Sequence, residues 1–185
     1  MGRYRGILVL LSAAAAIAML CAYKLTRTYE PTAGPLSMRR APVFELLDSR
    51  DPSQTVRLKS FVGRHSIVLL FFDGEAGADG DANLLALRSM YATLKTDGIV
   101  AFGISTALPQ DNRKSFERGG KFPFPLLSDP DFRVHRLWGR FDEQRRVPLQ
   151  GLFLIDRKGD VAWKAGFPQP SGDVEQVLGE LIPAG

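Results

Sequence analysis

Two uninterrupted apolar runs, SIVLLFF (66–72) and IVAFGIS (99–105), constrain this chain more than any other feature. Neither alternates apolar with polar residues, which is the pattern of a central strand buried on both faces. Between them Leu84, Leu87, Tyr91 and Leu94 recur at spacings of three, four and three. That spacing predicts one apolar face of a helix, ending near Gly98. Such strands need a layer on each side. PVFELL (42–47) and TVRLKSF (55–61) read as two short strands around a polar turn, and 111–119 as a short polar helix stopped by Gly119-Gly120. GLFLID (151–156) and DVAWKAG (160–166) flank RKG as a hairpin. Ser171 or Asp173 is placed to cap a last helix with Val174, Val177, Leu178 and Leu181 along one side. Alternating elements of this kind predict a three-layer α/β sandwich with a central mixed sheet over 41–185.

Charge divides the chain. Of its 24 basic and 20 acidic side chains, six basic (Arg3, Arg5, Lys24, Arg27, Arg39, Arg40) and one acidic (Glu30) lie in 1–40. Residues 41–185 therefore carry 18 basic and 19 acidic groups. A domain so nearly neutral lacks the basic footprint of a nucleic-acid binder. The excess belongs to the N-terminal segment, where Gly6 to Tyr23 is uncharged for 18 residues. As a helix this spans about 27 Å, close to a hydrocarbon core of about 30 Å. Arg3 and Arg5 precede it, so the positive-inside tendency leaves the domain on the extracytoplasmic side. A cleaved signal peptide ending at Ala16-Ile17-Ala18 is the alternative, but apolar residues continue through Met19 and Leu20. Residues 1–23 are thus read as an N-terminal transmembrane anchor and 24–40, with two prolines and four basic residues, as a tether. Cys21 is the only cysteine and lies in the apolar segment, so 41–185 holds neither disulfide nor thiol.

FPFPLLSDPDFRVHRLWG (122–139), GLFLIDRKGDV (151–161), and APVFELLDS with VRLKSFVGRHSIVLLFF together resemble the peroxiredoxins of the alkyl hydroperoxide reductase/thiol-specific antioxidant (AhpC/TSA) family. The resemblance covers about 41–170 and implies a thioredoxin-like fold and peroxide reduction by a cysteine. In that family the loop after the first central strand carries a Pro, a Thr and the peroxide-attacking Cys. Laying FFDGEAGADGD (71–81) on the pattern puts Asp73 at the Pro, Gly77 at the Thr and Gly80 at the Cys. The family's Arg before the penultimate strand falls on Gln150. The family chemistry needs a thiolate stabilised by a helix N-terminus and a nearby Arg. Gly80 has no side chain and Gln150 no charge, so thiol peroxidase and disulfide-exchange chemistry are not expected.

The loop instead holds four carboxylates, Asp73, Glu75, Asp79 and Asp81. Asp79 or Asp81 is expected to cap the following helix, where negative charge is favoured by about 0.3–1 kcal/mol. A second reading takes Asp79, Asp81 and Asn83 as the D-x-D-x-N opening of a calcium loop. Leu84 stands where the turn glycine is required and Met90 where the bidentate Glu is required, so only an improvised Ca²⁺ site remains. Asp73, Glu75 and Gln150 are candidate binding residues beside the same loop. His65 and His135 are the only histidines, too few for a multi-His metal site. His65 is expected to be exposed. His135, with Arg133, Arg136 and Arg140, reads as a solvated helix face which, extended by Arg145 and Arg146, suits an acidic partner. Trp138 and Trp163 read as packing residues. No Ser-His-Asp set, phosphate-binding Gly loop or H-E-x-x-H motif supports a hydrolase or nucleotide-binding reading.

Three functions follow as expectations. The first is a non-catalytic module that binds a protein, a peptide or a second copy of itself and uses no cofactor. The second, implied by the resemblance, is an antioxidant oxidoreductase. The third is a calcium-stabilised structural module.

Overall fold

The computed structural model describes residues 40–166 together with Val174 and Leu178. Strand β3 (Ser66–Phe71) is the axis of the sheet, with every residue after Ser66 fully buried. It pairs in parallel with β4 (Ile99–Ser105) and antiparallel with β8 (Gly151–Ile155). Its alternating side chains feed two cores. Val68, Leu70 and Phe72 meet Leu84, Leu87 and Leu94 of helix α1 (Ala82–Thr96) on one face. Ile67, Leu69 and Phe71 meet Phe44, Leu58, Val134 and Trp138 on the other. Helix α2 (Pro109–Gly119) returns the chain to β5 (Leu126–Ser128), again parallel to β4. The seven-stranded mixed order is β2-β1-β5-β4-β3-β8-β9, completed by β1 (Glu45–Asp48), β2 (Asp51–Arg57) and β9 (Val161–Gly166). A short helix α3 (Arg133–Leu137) and a small hairpin, β6 (Phe141–Asp142) with β7 (Val147–Pro148), lie between β5 and β8. A sheet with helical cover on both faces is the layered α/β architecture the apolar runs predict.

Differences from the sequence reading are local. The first strand begins at Glu45 rather than 42, and the second runs over Asp51–Arg57 rather than 55–61. Leu58–Ser60 forms a 3-10 turn instead, which drops Leu58 fully into the core. The polar helix starts at Pro109, whose missing N–H costs nothing in a first turn. Among the residues expected in a last helix, Val174 and Leu178 are helical and buried in the α1-side core. The rest of that helix, the apolar segment 1–23, the tether and the Trp163 side chain lie outside the described residues. No helix among the described residues is long and apolar enough to cross a membrane.

The close fit of α1 on the sheet turns on Gly103 of β4. A Cβ there would sit 2.7 Å from Leu126 Cδ2 and 2.9 Å from Leu84 Cδ1. Gly103→Ala is therefore expected to cost about 1–3 kcal/mol by overpacking. The measurement is urea unfolding, where the midpoint should fall with the slope unchanged.

Candidate functional site

The loop from β3 to α1 is organised by its own acids. Asp81, 4 % exposed, is the N-cap: its Oδ1 accepts from Leu84 N at 2.8 Å and its Oδ2 from Asp73 N at 3.1 Å. Burial pushes the Asp81 carboxyl above the usual carboxylate range, against the pull of those two N–H groups. Asp73 Oδ1 accepts from Glu75 N at 2.8 Å, closing a turn at the start of the loop. The Gly77 carbonyl accepts from both Gly80 N and Asp81 N at 3.1 Å, which winds the chain into the helix. Asp79 leaves the loop and takes a two-pronged bond from Arg118 of α2, Nε to Oδ2 and Nη2 to Oδ1, each 2.8 Å. That guanidinium holds the Asp79 carboxyl down at about 2.

These contacts decide what the loop can accept. Gly77 has φ +77°, and a Cβ on it would lie 3.0 Å from both Asp79 Oδ1 and Ser115 Oγ. At Gly80 a Cβ would meet the Ala76 carbonyl oxygen at 2.6 Å. A backbone atom cannot swing aside as a side chain can. Gly80, which the resemblance aligns with the family's Cys, is thus closed to a side chain in this loop conformation, and a side chain at Gly77, aligned with the Thr, is strained by its positive φ.

Asp79, Asp81 and Asn83, the calcium-loop candidates, each hold a different partner. Asp79 is spent on Arg118 and Asp81 on the helix N-terminus, while Asn83 Nδ2 donates to Gln150 Oε1 at 3.3 Å. No group of three His, Cys, Asp or Glu side chains among the described residues is placed to hold a metal ion. The binding candidates also separate: Asp73 and Glu75 share one turn, and Gln150 meets Asn83 across the sheet end. Asn83 is 1 % exposed, and its Oδ1 has no partner. Beside the loop runs a polar cleft of about 170 Å³, lined by Glu75, Ala76, Ala107, Lys114, Ser115 and Arg118 among others. Its cations are already paired, Lys114 with Asp111 at 3.0 Å and Arg118 with Asp79. Below it Asn112 is buried, with Nδ2 3.0 Å from Ser49 Oγ and 3.3 Å from Ser128 Oγ.

The histidine and arginine cluster is a solvated face only in part: Arg133 and Arg136 are exposed, but His135 and Arg140 are buried. His135 is 1 % exposed, and its Nδ1 lies 2.7 Å from Asp129 Oδ2. The same carboxylate accepts from Val134 N and His135 N, so Asp129 seats the start of α3 on the end of β5. The reason is steric as well as polar: Phe71 packs edge-on against the imidazole with centroids 5.0 Å apart. Arg140 is buried too, and its Nε donates to Gly139 O and its Nη1 to Gln150 O. The exposed arginines mostly find acids, Arg136 with Glu143, Arg133 with Asp131 and Arg145 with Asp142. His65 is half-buried against Phe61 rather than exposed. Trp138 packs in the core with Phe44, Phe71 and Phe153. The Asp129–His135 and Asp79–Arg118 pairs escaped the sequence reading. A D-x-x-x-x-x-H spacing beside a short helix was the only available signal for the first, and 39 residues separate the second pair.

A model of the AhpC/TSA family matches residues 38–164. The chain belongs to that family. Alkyl hydroperoxide reductase E of Mycobacterium tuberculosis is 32% identical over 140 residues, covering 75% of this chain and 89% of that protein. The mitochondrial 2-Cys peroxiredoxin of Plasmodium falciparum has a similar structure, with a TM-score of 0.67, 22% identity and coverage of 78% of this chain and 91% of that one. A structure titled as a putative thiol:disulfide interchange protein DsbE from Chlorobium tepidum follows at a TM-score of 0.62 and 23% identity, covering 78% and 94%. The peroxiredoxin-like, thioredoxin-fold assignment therefore stands.

Two outcomes test the electrostatics. Burial raises the Asp129 carboxyl, but the bonds from His135 and two backbone N–H groups outweigh it and hold it below the usual range. A folded value below the unfolded one stabilises above pH about 4, and that contribution is lost as pH falls through the folded value. Asp129→Asn should lower stability at neutral pH by about 1–3 kcal/mol, because buried donors of α3 lose their carboxylate acceptor, and flatten the acid limb of a stability–pH curve. Separately, carboxyl NMR titration should find Asp79 near 2 in the wild type. In Arg118→Ala it should return toward about 3.9.

Proposed function

We propose that this chain is a membrane-tethered, extracytoplasmic binding domain that keeps the peroxiredoxin scaffold without its peroxide chemistry. One observation carries the reading: the family's cysteine position, Gly80, has its Cβ direction blocked at 2.6 Å by the Ala76 carbonyl oxygen. Absence of any cysteine from 41–185 supports it independently. So does the neutral Gln150, hydrogen-bonded to Asn83, where the family's Arg is implied. The tether is supported by the uncharged stretch 6–23 behind Arg3 and Arg5. A protein, a peptide or a second copy of the chain is the partner class that a domain with this near-neutral surface and no nucleic-acid footprint would take.

The 32% identity to an alkyl hydroperoxide reductase favours a second reading, an antioxidant oxidoreductase, which requires a thiol lent by a partner. Consumption of hydrogen peroxide and organic hydroperoxides by the full chain in detergent, with excess dithiol, separates the two. The expected rate is that of buffer. Gly80→Cys should also stay inactive and lose about 1–3 kcal/mol of stability, because the new Cβ forces the backbone to move. A protein-dependent rate in the wild type overturns the binding-domain reading, and activity in Gly80→Cys overturns the claim that the loop is closed to a thiol.

A further inference from the structure

Among the described residues Arg140 is a buried cation without an acid. It is 7 % exposed, and among the described residues no carboxylate comes within ion-pair reach of it. Asp142, two residues on and itself 6 % exposed, is turned away into the β6–β7 connection, where it accepts from Gln144 N and Arg145 N at 2.9 Å. What holds Arg140 is neutral: the Gly139 carbonyl at 2.9 Å, the Gln150 carbonyl at 3.2 Å and the Phe153 ring, 5.8 Å from the guanidinium carbon. Burial pulls its proton affinity below the ordinary arginine value, and no neighbouring charge acts in the other direction. A guanidinium taken out of water in this way is costly unless something anionic meets it.

Among the described residues two of the five guanidinium N–H groups find an acceptor, through Nε and Nη1. The others lie at the Nη1/Nη2 end, whose fork matches the two oxygens of one carboxylate. Arg140 also hydrogen-bonds the backbone of Gln150, the residue aligned with the family's arginine. The positive charge missing from side chain 150 is thus supplied one hydrogen bond away, from a different loop.

We propose that Arg140 is the anchor of a binding site for a monoanionic carboxylate at the Gln150 end of β8, with the Nη1/Nη2 edge taking both carboxylate oxygens. A single guanidinium among neutral amides balances one negative charge, not the two of a phosphate dianion. The proposal deepens the binding-domain reading by naming its ligand class, and rests on it. The carboxylate has two possible sources, a small organic acid or the C-terminus of a peptide.

The test is a titration of the ¹⁵N-labelled full chain in micelles with benzoate at low ionic strength. Saturable shifts of the Arg140 Nε–Hε signal and of the Gln150 and Gly151 amides are expected, with none from benzamide. Arg140→Gln should weaken benzoate binding about tenfold or more. Arg136→Gln, which removes an exposed and acid-paired cation, should leave it unchanged. Should Arg140→Gln fail to fold, Arg140→Lys keeps the charge without the fork and should bind measurably more weakly than wild type. Acetyl-Ala-Ala compared with its C-terminal amide separates the sources. Tighter binding than benzoate points to a peptide terminus and weaker binding to a small acid, and either supports the site. No saturable shift, equal binding by benzamide or inorganic phosphate, or undiminished binding by Arg140→Gln overturns the proposal. The peroxide assay fails separately: turnover there would sink the binding-domain reading while leaving the benzoate result as measured.

Discussion

Everything in the described fold hangs on β3 being hydrogen-bonded along both edges and apolar on both faces. A strand in that position cannot slip by one residue, because each slip would exchange the two cores. Fixing β3 fixes where Phe72 ends and where the loop to α1 begins. It also sets Gln150, at the mouth of the antiparallel partner β8, beside the first turn of α1. The candidate site is therefore placed by the sheet before any of its own side chains act.

At that place the loop has been rebuilt around carboxylates rather than emptied. Asp81 meets the helix N-terminus from within the chain, and Asp79 fastens the loop to α2 through Arg118. Asp73 closes the entry turn. Asp81 already sets a carboxylate at the positive end of the helix, on the Leu84 N–H. The steric closure at Gly80 follows from the same winding. The loop thus departs from the family pattern in backbone as well as in residue identity.

Arginine–acid pairs recur across the described surface, and Arg140 departs from them. Arg50, Arg118, Arg133, Arg136 and Arg145 each meet an acid at 2.8–3.8 Å, and buried His135 meets Asp129. Arg140 alone among these is buried against neutral groups. Its position next to Gln150, rather than at it, gives the domain a cationic group that the alignment of catalytic positions would not reveal.

The sequence by itself determined the elements whose signal is local. The two apolar runs, the helix between them with its Asp cap, and the 151–166 hairpin are written in periodicities and turn residues that span no more than a helix length. The pattern 55–61 extends past the real strand because a 3-10 turn at Leu58 and a strand look alike in so short a stretch. Tertiary structure alone decided the partners. Asn83 finds Gln150 across 67 residues, Asn112 finds Ser49 across 63, and Asp79 finds Arg118 across 39. His135 and Arg140 read as a wet face because their neighbours in sequence are charged. His135 is buried because α3 packs on Phe71, and Arg140 because it reaches the Phe153 ring and the Gln150 carbonyl, contacts that no local pattern encodes. Periodicity tells which side of an element is apolar, but which charges that side encloses depends on what the rest of the chain brings against it.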